Sequence, residues 1–168
     1  SNEEALEMTV RAIERAGCHP GSDAAISLDI AASEFGRDGR YTLALDKQEL
    51  DRDGMSEMLL RWMDKYPIVS IEDPFAEDDR VAWMEFNRAA GHRVQIIGDD
   101  YLTTSAVRVA EAKLDDACNA VLIKVNQAGT LTETKAALDA GKAAGFGTIV
   151  SARSGESEDV AIAHMAVG

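Results

Sequence analysis

The chain has 168 residues, 46% of them hydrophobic, and sets 30 acids against 17 bases for a formal charge of −13. That length supports one sizeable core, so one domain or part of one. The acidic balance argues against nucleic-acid binding through bulk electrostatics, yet it leaves carboxylates free to gather around a divalent cation. The two cysteines, Cys18 and Cys118, stand far apart without CxxC or Cys/His spacing, which suits a reducing cytoplasm better than a disulfide scaffold. No signal peptide and no apolar run of membrane-spanning length is present, so a soluble cytoplasmic protein is expected, with no membrane span. Ser1-Asn2, with no initiator methionine, reads as a scar of excision, and residues 3–168 as a piece of a larger domain.

In chain order, Leu6, Val10 and Ile13 recur at helical spacing between Glu3 and Ala16, and Gly17 with Pro20-Gly21 ends that surface helix. Ala24 to Ile30 reads as a short strand carrying Asp29 near its end, followed by the small residues Ala31-Ala32-Ser33. Asp38-Gly39 between aromatic flanks is a two-residue hairpin signal, an excursion from the rhythm around it. Met55, Met58, Leu59, Trp62 and Met63 share one helical face as core filler, and Pro67 closes the helix. The strand Ile68 to Ile71 then delivers Glu72, ahead of Asp73-Pro74. A short helix with Val81, Trp83, Met84 and Phe86 follows Glu77-Asp78-Asp79, which caps it. The strand Val94 to Gly98 ends at Asp99-Asp100, and a helix is expected over Thr103 to Ala117 with Thr104 or Ser105 as cap.

Val121 to Ile123 is a continuous aliphatic run, as in a parallel strand covered on both faces, and it delivers Lys124. Thr130 and Glu133 have capping-box spacing before a helix from Leu131 to Ala144, with Gly145 as its stop. The strand Gly147 to Ser151 leads to Ala152-Arg153-Ser154-Gly155, and Ser157 opens a last helix through His164. Strands alternating with helices imply a parallel sheet, either doubly wound or part of a barrel. No GxGxxG or P-loop fingerprint follows the first strand, so the expectation is α/β, a partial (β/α)8 TIM-type barrel of about five strands with flanking helices.

In a barrel the ends of successive strands converge on one mouth. Here they carry Asp29, Glu72, Asp99, Lys124 and then Arg153 with Ser154. Any one acid at a strand end is explained by capping the next helix, and any one lysine or arginine by an ion pair. The order acid, acid, acid, base, anion-binder is what points to a site. Three converging carboxylates repel one another unless a hard cation such as Mg²⁺ takes them as oxygen ligands, and Arg153 with Ser154 suits a phosphate or carboxylate. His19, His92 and His164 lie off these ends and read as structural or solvent-facing.

Ser70-Ile71-Glu72-Asp73-Pro74, Gly98-Asp99-Asp100, Leu122-Ile123-Lys124-Val125-Asn126-Gln127 with Gly129-Thr130-Leu131, and Arg153-Ser154-Gly155-Glu156 with Glu158-Asp159 resemble enolase, in the right order and along nearly the whole chain. The resemblance implies a fragment of the enolase carboxy-terminal barrel domain. It implies that Asp29, Glu72 and Asp99 bind Mg²⁺, with a second Mg²⁺ arriving with substrate. Lys124 would remove the α-proton of 2-phosphoglycerate, a lysine-base chemistry for which enolases are the known example. Arg153 and Ser154 would bind the phosphate, and the glycolytic product would be phosphoenolpyruvate. A homodimer is implied for the full-length protein. The usual Ser-His-Arg-Ser-Gly-Glu motif has Ala152 at its histidine, which leaves open an enolase-like paralogue acting on another phosphorylated or carboxylated acid. The acid-acting glutamate and a carboxylate-binding lysine of the family have no counterpart among these residues, so the isolated fragment is expected not to turn over, and a non-catalytic interaction module is the third alternative.

Overall fold

The computed structural model describes residues 1–153 and 158–168. In chain order it contains helix α1 (Asn2–Arg15), strand β1 (Ile26–Asp29), a 3-10 turn (Ala32–Glu34), β2 (Gly36–Arg37), β3 (Arg40–Leu43), β4 (Gln48–Asp51), α2 (Arg52–Lys65), β5 (Ile68–Glu72) and α3 (Arg80–Ala90). There follow β6 (Gln95–Gly98), α4 (Ala106–Asp115), β7 (Ala120–Lys124), the single turn α5 (Val125–Ala128), α6 (Leu131–Ala144), β8 (Gly147–Ser151) and α7 (Ala161–Val167).

Five strands form one parallel sheet in the order β1-β5-β6-β7-β8. Each βα unit therefore lays its strand beside the one before it, as barrel strands do, and every strand points its C-terminal end the same way. With β1 and β8 at the two edges, the sheet is an open arc, the partial barrel expected from the pattern.

The helices cover one face. Ile26, Ile71, Ile96, Val121 and Ile123 pack there with Met55, Leu59, Trp62, Trp83, Phe86, Val109 and Ala137 in one buried cluster. Each large side chain so buried contributes roughly 1.5–3 kcal/mol of transfer free energy. Ile97, Ala120 and Leu122 form a second, smaller cluster with Ile149. Residues of β7 thus belong to both clusters, which is the physical reason its sequence is aliphatic without alternation.

The excursion after β1 is a three-stranded antiparallel sheet, β2-β3-β4. Its first turn puts Asp38 at φ 52 and Gly39 at φ 72, the pair of left-handed residues that a two-residue hairpin needs. The third strand, Gln48–Asp51, carries no alternating pattern and forms because β3 offers it a template through four register pairs. Tyr41 anchors this sheet: its hydroxyl donates to Asp79 at 2.9 Å and accepts from the Ala76 N–H at 3.3 Å. Arg52 pairs with the same Asp79 at 3.0 Å. Edge-to-face contacts run from Phe35 to Tyr41, Phe75 and Phe86, with centroids 6.3, 5.8 and 5.4 Å apart.

Several local expectations change. The helix expected from Thr103 begins only at Ala106, because Thr103 and Thr104 stand at φ 49 and 50; Ser105, which accepts from the Arg108 N–H, is the cap. Val81 faces solvent at 47% exposure, since Ala82, Trp83 and Phe86 form the buried side of α3. Polar residues after Lys124 wind into the single turn α5 rather than a loop. The last helix spans Ala161–Val167, and Ser157, expected to open it, lies outside the described residues. The methionines of α2 are core, as expected, and His19, His92 and His164 are exposed. Among the described residues no helix is long and apolar enough to cross a membrane.

Candidate metal and acid–base site

The parallel register brings the candidate residues to one end of the sheet. Asp29 closes β1 and is paired in register with Glu72, the last residue of β5. Asp99 follows directly on β6, and Lys124 closes β7 opposite Ser151 of β8. The chain turns sharply after β6: a Cβ on Gly98 would stand 2.6 Å from Leu102 Cγ, so only glycine lets the turn fold back over the strand end. Arg153, two residues beyond β8, is exposed, and Ala152 before it is half-buried. Ser154 lies outside the described residues.

Lys124 Nζ donates to Asp99 Oδ2, and both side chains are only 12% exposed. The other Asp99 oxygen accepts from Gln127 Nε2 at 3.1 Å. Gln127 in turn meets the Thr104 hydroxyl at 2.6 Å, and that hydroxyl accepts the Lys124 backbone N–H at 3.0 Å.

The acids are crowded. Burial and then the charges of Asp29, Asp99 and Asp73 push the Glu72 carboxyl up to about 7, with Lys124 opposing. Asp73, buried and with its backbone at φ 41, is also raised to about 7 by burial, against the N–H groups it accepts. Asp29 is raised above its usual range, first by partial removal from water, with Asp99 and Asp100 adding to the shift. Carboxyls held up in this way mark a pocket with more negative charge than its lysine balances.

The acids that come close enough together to hold a cation are not the expected trio. Among the described residues the carboxylate oxygens of Asp73, Asp99 and Asp100 lie within 4.8 Å of one another. Asp99 is common to that group and to the expected trio Asp29, Glu72 and Asp99. Asp73 already has work for both oxygens: Oδ1 accepts the Asp99 N–H and Oδ2 the Asp100 N–H, each at 2.9 Å. It brackets the end of β5 to the end of β6. Among the described residues Glu72 has no such backbone bonds, and Asp29 accepts only the Ala31 N–H, at 3.1 Å.

Asp73, Asp100, Thr104 and Gln127 were not among the residues expected at the site. The doubled acids Glu72-Asp73 and Asp99-Asp100 are a signal that could have drawn attention to the first two. Thr104 was legible only as a helix cap, and Gln127 only as the last residue of the Leu122-to-Gln127 motif, with no role assigned to it.

A cleft of about 660 Å³ runs along β1 between α1, β3 and α2. Of the candidate residues among those described, Asp29 alone lines it.

The family described as Enolase, C-terminal TIM barrel domain matches residues 1–168, and the chain belongs to it.

Proposed function

We propose that this member of the enolase barrel family serves the Mg²⁺-dependent dehydration of 2-phosphoglycerate to phosphoenolpyruvate, the hydro-lyase step of glycolysis. The observation that carries the reading is the pairing of Lys124 with Asp99, both sheltered from water, at a strand end crowded with Glu72, Asp29 and Asp73. Acids in such excess favour a hard cation; Asp29, Glu72 and Asp99 are assigned as its ligands on the resemblance to enolase, while Asp73 is engaged by two backbone N–H groups. When bound, Mg²⁺ supplies positive charge to the substrate carboxylate as the α-carbon loses its proton.

Lys124 is the base. Its neutral form takes the proton from the carbon bearing the phosphate ester. The electron pair released expels the hydroxyl of the neighbouring carbon, which leaves as water after gaining a proton. Arg153 and Ser154 are assigned to the phosphate, and a second Mg²⁺ would enter with substrate. The full-length protein is proposed to be a cytoplasmic homodimer whose partner at this site is the small-molecule acid.

One observation favours a second reading. Ala152 offers no donor where enolases place a histidine, so a related acid of different shape is the substrate if the parent proves inactive on 2-phosphoglycerate. The test is phosphoenolpyruvate formation by the full-length protein with Mg²⁺, beside its Lys124→Ala variant. An active parent with a dead variant supports dehydration of 2-phosphoglycerate. An inactive parent that still binds Mg²⁺ overturns that substrate and leaves the paralogue.

A further inference from the structure

A closed ring of hydrogen bonds links the residues just assigned to the base and to the cation, and two of its members have no role in that chemistry. The ring leaves Lys124 by its backbone N–H, 3.0 Å from Thr104 Oγ1, continues to Gln127 Oε1 at 2.6 Å, passes through the amide to Asp99 Oδ1 at 3.1 Å, and returns from Asp99 Oδ2 to Lys124 Nζ.

The donor directions follow from Asp99 and from the shorter of the two contacts open to the Thr104 proton, 2.6 Å to Gln127 Oε1 against 3.4 Å to the Leu122 carbonyl. An ionised Asp99 can only accept, so the Gln127 NH₂ must face it and the Gln127 carbonyl oxygen must face Thr104. That oxygen needs a donor, so the Thr104 proton points to Gln127, and the hydroxyl oxygen is left to accept from Lys124. Glutamate at 127 would lose the donation to Asp99 and set two carboxylates against each other, and valine at 104 would remove the hydroxyl that both Gln127 Oε1 and the Lys124 N–H use.

The turn that supplies Thr104 is under strain. Thr103 and Thr104 are consecutive β-branched residues at φ 49 and 50, a conformation that favours glycine or asparagine. It is held by the Leu102 and Thr103 N–H groups on the Asp99 carbonyl, at 3.1 and 2.7 Å, and by Ser105 N–H on Leu102 O at 3.0 Å. The Thr104 hydroxyl also stands 3.4 Å from the Leu122 carbonyl, and the residue is only 2% exposed. A turn that needed only to reverse the chain would place an unstrained residue there. Strain that persists at a buried hydroxyl aimed at two candidate site residues is the pattern of a positioning device.

We infer that Thr104 and Gln127 are positioning residues: together they orient the Asp99 carboxylate toward the cation and fix its separation from Lys124. This rests on the assignment of Asp99 as a cation ligand. Groups that orient a metal ligand change affinity by about 10–100-fold when removed, and the same is expected here.

The experiment is Mn²⁺ binding to the 168-residue chain, read by electron paramagnetic resonance, because Mn²⁺ shares the oxygen-rich, octahedral preference of Mg²⁺. The variants are Asp99→Asn, Thr104→Val, Thr104→Ser and Gln127→Leu, each checked for folding by circular dichroism. The expected result is loss of binding in Asp99→Asn, weakening by about tenfold or more in Thr104→Val and Gln127→Leu, and recovery to within about twofold in Thr104→Ser. A merely structural threonine would not divide valine from serine in this way while both fold. Wild-type affinity in Thr104→Val and Gln127→Leu, with loss in Asp99→Asn, overturns the positioning role and leaves the cation site standing. Equal binding by wild type and Asp99→Asn, or none by wild type, overturns the ligand assignment itself and the positioning role with it.

Discussion

Asn119 is a single side chain on which the relative placement of Asp99 and Lys124 depends. The strands that carry those two residues, β6 and β7, share only two register pairs, Ile97 with Ala120 and Gly98 with Val121. Asn119 extends that short ladder from below: its Oδ1 accepts the Ile96 N–H at 2.7 Å, and its Nδ2 donates to the carbonyls of Gly91 at 2.9 Å and Val94 at 3.0 Å. Replacing it by alanine removes three bonds at once and strands partly buried backbone groups. At about 0.5–1.5 kcal/mol per bond, with a further penalty for groups left unpaired, the loss is about 3 kcal/mol. For a chain of this size that corresponds to a fall of about 6–12 °C in Tm. Urea and thermal unfolding followed by circular dichroism measure it, and Mn²⁺ affinity is expected to fall in parallel as the two strand ends lose their spacing. A change below about 0.5 kcal/mol, the range of ordinary surface substitutions, would refute the claim that this amide clamps the two strands.

Three further outcomes are expected. Since the Glu72 carboxyl is raised to about 7, it holds a proton below that pH and must release it to bind a cation; Mg²⁺ affinity should therefore rise about tenfold from pH 6 to pH 8, with proton release seen as a buffer-dependent heat in calorimetry, and a flat profile would contradict it. Cys118 is buried and its thiol pushed up to about 12 by burial, whereas Cys18 is partly exposed. A thiol reagent at neutral pH should label one cysteine in the folded chain and two after denaturation, and rapid native labelling of Cys118 would count against the packing of β7. Tyr41→Phe keeps the ring and removes the hydroxyl that satisfies buried Asp79 and the Ala76 N–H, so it should cost about 1–3 kcal/mol in urea unfolding; an unchanged midpoint would show that the β2-β3-β4 sheet is not tied down there.

The residues differed in how much they disclosed. Thr130 and Gly145 bound α6 where capping chemistry says they must, because the Thr130 hydroxyl takes the Glu133 N–H and Gly145 adopts φ 73. Asp38-Gly39 specified its hairpin for the same reason: the conformational demand is met by the residues themselves. The strand β4 was invisible because its pairing energy comes from β3 and not from its own composition. The start of α4 differs from the pattern because Thr103 and Thr104 have the composition of a cap, but the Thr103 N–H is held by the Asp99 carbonyl and the Thr104 hydroxyl by Gln127 and Lys124, contacts that spacing does not encode.

What the sequence determined by itself is the local and periodic part: the βα rhythm, the helix ends, and the delivery of Asp29, Glu72, Asp99 and Lys124 to successive strand ends. These follow from hydrophobic period and backbone preference, which act over a few residues. Only the tertiary structure decided how those ends meet. Parallel register set Asp29 against Glu72, burial raised the carboxyls, Asp73 became a bracket rather than a free acid, and Thr104 and Gln127 closed a ring on Lys124. Each of those is a contact between segments far apart in the chain or a loss of water around a charge. Neither property belongs to a residue until its neighbours are in place.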